Sequence, residues 1–264
     1  MMLAIFSIIS LITVILLGIF TSISIPLLLL IFFAIILGLI LLNFALVLLG
    51  WFIDPDDLPE KVTGFHRFVT LSVISLILSG VRAFVTVRGK ELIPDQPFVY
   101  ISNHFSVFDP MIAMLYLRKH KLAFVSKKEN IQIPLAGRFM LASGCVSLDR
   151  SSNRGAAKVI SDAAENVISG RCSMGIYPEG GSNRDPENVP LKPFHSGSFK
   201  VATKAKAPIV VAVISNTRKI TKRLFTHVTL DIIKVIPYEE YKELKTSELS
   251  ELVHNIMIDW IVKA

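Results

Sequence analysis

Residues 1–53 contain no Asp, Glu, Lys, Arg or His, while all 28 Lys and Arg and all 21 Asp and Glu lie in residues 54–264. So long a charge-free opening excludes an ordinary soluble N-terminus. A basic n-region and a small-residue cleavage site are also missing, which argues against a cleaved signal peptide and for a retained membrane anchor. Cysteine is nearly absent. Cys145 and Cys172 sit in the apolar runs "GCVSL" and "RCSMGIY", so a disulfide framework and a metal site are excluded, and two core thiols in a reduced compartment are expected. There is no Gly-x-Ser-x-Gly element; the nearest approach, "GGSNR" at Gly180 to Arg184, lacks the second glycine. Internal repeats and low-complexity linkers are lacking too. Nucleic acid is a poor partner, because the positive charge comes with no recognised binding motif and no aromatic-interleaved stripe.

What is present divides into an anchor and one domain. The apolar opening has two parts, Met2 to Phe20 and Ile25 to Ile53, separated by "TSIS" and Pro26. At about 1.5 Å per residue the second part could exceed 40 Å, against a hydrocarbon core of about 30 Å. Two helices forming a spanning hairpin, or a monotopic pair dipping into one leaflet, both fit residues 1–53. Residues 54–82 form a linker whose apolar run Phe68 to Leu78 is too short to span, and an interfacial or docking helix is expected there. Residues 83–264 make the main domain, long enough for its own core. Basic clusters at Leu117 to Lys121, Ser126 to Lys128 and Thr217 to Arg223 place this domain on the cytoplasmic face of the cell membrane, where anionic lipid can meet them.

Within the domain, apolar strand-like runs alternate with helical patterns. Strands are expected at 83–87, 98–102, 122–126, 145–148, 173–177, 208–214 and 227–236, and helices near 110–119, 134–143, 153–169, 197–206 and 246–262. That order predicts an α/β fold with a mixed central sheet flanked by helices. Chemistry in such sheets gathers where strands end. Three expected strand ends are polar: "NHFSVFD" after the second, "DRSSNRG" after the fourth and "YPEGGSNRD" after the fifth. A glycine pair and arginines in these loops suit an anionic ligand.

"NHFSVFDP", residues 103–110, sets His104 five positions before Asp109. On a continuous helix the two would stand some 140° apart, and on a continuous strand roughly 16 Å apart on opposite faces. Only a bend can pair them. The sequence supplies one, an apolar strand followed by a helix beginning "PMIAML", with Asp109 as N-cap and Pro110 as first helical residue. The same capping role is the plainer reading of Asp109.

Taken together, these loops resemble the glycerophospholipid acyltransferases, most closely the bacterial 1-acyl-sn-glycerol-3-phosphate acyltransferases, over about residues 80–216. The His-x4-Asp block is "NHFSVFD"; the block usually written Gly-x-x-Phe-Ile-Asp-Arg is "GCVSLDR", Gly144 to Arg150. The Pro-Glu-Gly block is "YPEGGSNRD", with Pro178, Glu179 and Gly180 in place, and the last is "APIVVAVI", with Pro208 kept and Val211 where a second proline is common. The stretches "VSKKENIQIPLAG" and "LKPFHSGSFKVA" match as well. The chain departs at Gly181 and Ser182, where the family has threonine and arginine; the nearest arginine, Arg184, comes two positions late.

The resemblance implies acyl transfer from a thioester, carried by acyl-CoA or acyl-carrier protein, to the free hydroxyl of 1-acylglycerol-3-phosphate, making phosphatidic acid. No cofactor and no metal are implied. His104 would be the general base and Asp109 its orienting carboxylate. Arg150 would hold the acceptor phosphate, Glu179 and Gly180 would shape the acceptor loop, and Arg184 and Lys127 are further phosphate candidates. His195, in "KPFHSGS", sits at a helix start and reads as a cap neighbour rather than a catalyst, while His66, His120, His227 and His254 belong to no motif. Another lysolipid acceptor, a thioesterase or hydrolase, and a catalytically silent membrane-docking protein stay open as alternatives.

Overall fold

The computed structural model describes residues 25–54, 62, 64–133, 136–148 and 153–263. Helix α1, Ile25–Leu48, is uncharged throughout, and a 3-10 turn, Leu49–Phe52, follows it. Much of its surface is exposed and apolar, with Leu30, Phe33, Leu37, Leu41 and Phe44 among the residues in the open. Residues 26–42, its longest fully described stretch, rise about 25 Å. Among the described residues no helix is long and apolar enough to cross a membrane. The first apolar part, Met2 to Phe20, lies outside the described residues.

Helix α2, Gly64–Gly80, carries the third apolar run. One side packs inward through Val69, Ile74 and Leu78, and buried Arg67 donates from Nη1 to the Leu122 carbonyl at 3.1 Å. Phe65 and Phe68 remain exposed on the other side. The helix leads into β1, Ala83–Arg88, followed by β2, Val99–Ser102, and α3, Phe108–Tyr116. Next come β3, Ala123–Lys127; α4, Ala136–Ala142; β4, Val146–Leu148; α5, Asn153–Ile168; and β5, Met174–Ile176. The chain ends with α6, Lys200–Ala205; β6, Ile209–Ser215; β7, Thr226–Ile236; and α7, Thr246–Lys263.

The strands form one mixed sheet in the order β1-β7-β6-β2-β5-β3-β4. Every pairing is parallel except β6 with β7. Strands β2 and β6 are buried along almost their whole length, because helices cover both faces; a strand covered on both sides needs an unbroken apolar run, and "VYIS" and "IVVAVIS" supply it. On one face Val99, Ile101, Val211 and Val213 pack with Val159 and Ala163 of α5 and Val253 and Met257 of α7. On the other, Tyr100, Phe124, Val210 and Ala212 pack with Ile74 and Leu78 of α2 and Ile112 and Leu115 of α3. Both cysteines are free and buried, and burial pushes the Cys172 thiol up to about 12. Because β2, β5, β3 and β4 run parallel, the loops after them open at one end of the sheet.

Candidate active site

Strands β2 and β5 are neighbours, with Ile101 opposite Ile176, so the loops beginning at Asn103 and Tyr177 emerge side by side. Asn103 is fully buried. Its Nδ2 donates to the Ile214 carbonyl at 2.9 Å and its Oδ1 accepts from the Ile214 N–H at 2.8 Å. The side chain thus imitates one more strand residue pairing with β6. This pins the point where the backbone leaves the sheet, just before His104.

The bend between His104 and α3 brings the pair together. His104 Nδ1 lies 2.9 Å from Asp109 Oδ2, and the same oxygen accepts the backbone N–H groups of Phe105 at 2.6 Å and Ser106 at 2.8 Å. Three donors on one oxygen fix the carboxylate's position and aim it at the ring, which favours the tautomer with its proton on Nδ1 and turns the Nε2 lone pair toward the site. The helix starts at Phe108, so Asp109 sits inside the first turn rather than at the N-cap. The capping reading is corrected accordingly: Asp109 reaches back to the loop before the helix, and Ser106 Oγ takes the Phe108 N–H at 3.0 Å. Asp109 is completely buried, while 18% of the His104 side chain stays exposed, enough to meet a substrate.

Glu179 ties the second loop to the first. Its Oε1 accepts the His104 backbone N–H at 2.7 Å and its Oε2 the Lys192 N–H at 3.1 Å. Burial pushes the Glu179 carboxyl above its ordinary range, although both backbone N–H groups pull the other way. Asn183 N–H donates to the His104 carbonyl at 2.6 Å, and Lys192 Nζ donates to the Ser182 carbonyl at 3.0 Å. Gly180 turns the loop at φ +71°; a Cβ there would come within 2.7 Å of the His195 ring, so that position takes only glycine without rearrangement. Ser182 Oγ then faces His104 Nε2 at 3.2 Å.

Beneath the imidazole lies an aromatic column. The His104 ring stacks on Tyr177 at 4.3 Å and 17°, Tyr177 stacks on Phe124 at 5.3 Å and 9°, and Tyr100 meets Phe124 edge-on at 6.0 Å. Gly175 makes room for it, since a Cβ on that residue would sit 2.3 Å from the Phe124 ring. Burial raises the Tyr177 phenol well above its usual value, so it stays neutral.

Of the residues expected at the site, the structure gathers His104, Asp109, Glu179 and Gly180 into one network. Lys127 is exposed at the end of β3, two strands from β2, and Arg184 is exposed on the loop after β5. Arg150 lies outside the described residues. His195 starts a 3-10 turn and packs on Gly180 rather than on the acid–base pair. Sequence reading assigned no role to Asn103, Tyr177, Ser182 or Lys192; the contacts of the first three with Ile214, His104 and Phe124 join positions more than 50 residues apart, and those of Lys192 lie within its own loop. Among the described residues no group of His, Cys, Asp and Glu could hold a metal ion.

Residues 84–215 match a family model described as "Acyltransferase". The chain belongs to the acyltransferase family. It is 32% identical over 181 residues to a 1-acyl-sn-glycerol-3-phosphate acyltransferase of Saccharomyces cerevisiae, an overlap covering 66% of this chain and 59% of the relative. A protein of the same name from Borreliella burgdorferi is 30% identical over 192 residues, covering 68% of this chain and 73% of the relative. In architecture it is similar to the crystal structure of the 1-acyl-sn-glycerophosphate acyltransferase of Thermotoga maritima, with a TM-score of 0.62 at 21% identity, over 85% of this chain and 97% of that one.

Proposed function

We propose that this acyltransferase moves an acyl group from a thioester, acyl-CoA or acyl-carrier protein, to the free hydroxyl of 1-acylglycerol-3-phosphate, making phosphatidic acid. The observation that carries this reading is the His104 imidazole, fixed through Nδ1 by a buried carboxylate and part-exposed at the end of the sheet, where Nε2 faces only the hydroxyl of Ser182 among the described residues. As the acceptor hydroxyl attacks the thioester carbonyl, Nε2 takes its proton and passes it to the departing thiol; Asp109 stabilises the imidazolium in between. The names of the relatives support the acceptor, and Arg150 is the residue proposed to hold its phosphate.

The same reading puts the domain on the cytoplasmic face of the cell membrane. Exposed apolar side chains on α1 support lipid contact, and Arg138 ties that segment to the domain by donating from Nη1 to the carbonyls of Trp51 at 2.8 Å and Ile53 at 3.2 Å. The basic loop Thr217 to Arg223 between β6 and β7 opens at the same end of the sheet as His104, and exposed Leu224 and Phe225 follow it. Such a rim suits an anionic bilayer.

The test is thiol release from acyl-CoA with and without lysophosphatidic acid, on wild type and two arginine variants. Arg150→Ala should raise the acceptor KM by an amount worth roughly 1.5 to 3 kcal/mol, for a lost charged hydrogen bond, and leave the donor KM nearly unchanged. Arg184→Ala, which removes an exposed guanidinium, should change the acceptor KM far less. A wild type that prefers lysolipids with a head group on the phosphate, together with an indifferent Arg150→Ala, would overturn the lysophosphatidate assignment.

A further inference from the structure

The contact between Ser182 and His104 does more than complete a loop. Asp109 Oδ2, His104 Nδ1 and Nε2, and Ser182 Oγ stand in a row, with 2.9 Å at the first step and 3.2 Å at the second. With the proton on Nδ1 directed at Asp109, the Nε2 lone pair accepts from the serine hydroxyl, which is the arrangement that turns an alcohol into a nucleophile. Its loop is held from three sides: Asn183 N–H on the His104 carbonyl, Lys192 Nζ on the Ser182 carbonyl, and Glu179 across to both the His104 and Lys192 backbones. Among the described residues the backbone N–H groups of Gly181 and Ser182, on the same loop as the hydroxyl, donate to no other group. None of this needs the Gly-x-Ser-x-Gly strand-to-helix elbow, which the sequence lacks.

We propose that Ser182 is a nucleophile in its own right, taking the acyl group from the thioester to form an acyl-serine when no acceptor hydroxyl stands at His104. The proposal rests on the acyl-thioester donor of the preceding section. Ser182 Oγ attacks the thioester carbonyl and a carbon–oxygen bond forms. His104 Nε2 takes the hydroxyl proton and delivers it to the sulfur as the carbon–sulfur bond breaks, so a free thiol leaves and an oxygen ester stays on the enzyme. Water or the acceptor hydroxyl then attacks the ester. Its proton passes through Nε2 back to Oγ, which restores the serine and releases fatty acid or acylated acceptor. The site thereby gains a thioesterase activity, and its acceptor need not be bound when the donor is consumed.

The test uses the full chain in detergent with a long-chain acyl-CoA and no acceptor, quenched in acid within the first turnovers and read by intact mass and peptide mapping. The expected result is one added acyl group on the peptide containing Ser182, resistant to neutral hydroxylamine as an oxygen ester is. Ser182→Ala and His104→Ala should show no adduct, and acceptor-independent thiol release should fall to background in both. Ser182→Cys should carry an adduct that neutral hydroxylamine removes, because it is now a thioester; this variant guards against a merely misfolded alanine mutant. Transfer to lysophosphatidic acid is measured in parallel. Transfer without an adduct, or an adduct that persists in Ser182→Ala, overturns the nucleophile and leaves the proposed function standing. An adduct on Ser182 without transfer to lysophosphatidic acid supports the nucleophile and removes the acceptor assignment.

Discussion

Two regions meet at His104 and are built by opposite rules. Above the sheet end, the loops after β2 and β5 are joined polar atom to polar atom: Asp109 Oδ2 takes three donors, and each Glu179 oxygen takes a backbone N–H. Below it, the column of Tyr177, Phe124 and Tyr100 holds the ring by stacking, and the Tyr177 hydroxyl is buried with no partner among the described residues. A buried hydroxyl without a partner costs free energy, yet it is tolerated there. Hydrogen bonding is concentrated on Asp109 Oδ2 and the two Glu179 oxygens, which position the imidazole and the loops, although Asp109 Oδ1 is buried with no partner among the described residues. Below the ring, stacking does the holding. Removing groups from each region should therefore have very unequal effects.

The largest effect is expected at the acid–base pair. His104→Ala should lower kcat by ~10² to 10⁴ through loss of general-base help, and Asp109→Asn by a similar order through the wrong tautomer. The two losses should be far from additive in the double variant, since both act through one imidazole. Steady-state kinetics on folded protein decides it: near wild-type turnover in His104→Ala would end the proposed mechanism.

Glu179 comes next, because it holds backbone rather than substrate. Gln in its place keeps one carbonyl acceptor but turns an NH2 toward the second backbone N–H, which should cost about 1 to 3 kcal/mol of stability. The pH dependence has a definite sign. Burial raises the Glu179 pKa from the ordinary 4.5, so the folded chain binds this proton more tightly than the unfolded one. Its contribution to stability is complete below 4.5 and is lost as pH rises through the folded pKa. Denaturation curves at several pH values should therefore show a shallower fall in stability with rising pH in Glu179→Gln than in wild type. Identical slopes would mean the carboxyl is not perturbed.

These unequal roles also explain which parts of the site are legible in the sequence. The mixed sheet is legible, because buried parallel strands write unbroken apolar runs, and all seven expected strands are present within a residue or two of their expected bounds. His104 and Asp109 are legible as a pair because strand, bend and helix are local. What Asp109 does is less so: a cap and a carboxylate folded back onto its own loop share the same residue and the same following proline. Ser182 is hidden for another reason. Its partner lies 78 positions away, and the loop that joins them is shaped by Glu179 and Lys192 through backbone bonds that leave no spacing signal. The one visible trace is the departure at Gly181 and Ser182, where two expected residues are replaced by a flexible one and a hydroxyl. Arg184 shows the reverse: its presence in the sequence suggests phosphate, yet its side chain is exposed.

The smallest effect should come from the aromatic column. Tyr177→Phe removes a buried hydroxyl that has no partner among the described residues, while the ring stacked on His104 stays. Deleting a desolvated donor without exposing another should leave stability unchanged or raise it by up to about 1 kcal/mol. Turnover should stay within about twofold, since a phenol whose pKa burial holds well above its usual value carries no charge to the imidazole. Tyr177→Leu is the contrasting variant: it loses ring-on-ring contact worth ~0.5 to 1.5 kcal/mol beyond area and frees the imidazole to tilt away from Ser182 Oγ. Its kcat should therefore fall while Tyr177→Phe keeps its own. If Tyr177→Phe instead lost activity on the scale of His104→Ala, the hydroxyl would belong to the proton chemistry, and the division between a hydrogen-bonded upper region and a purely stacking lower one would fail.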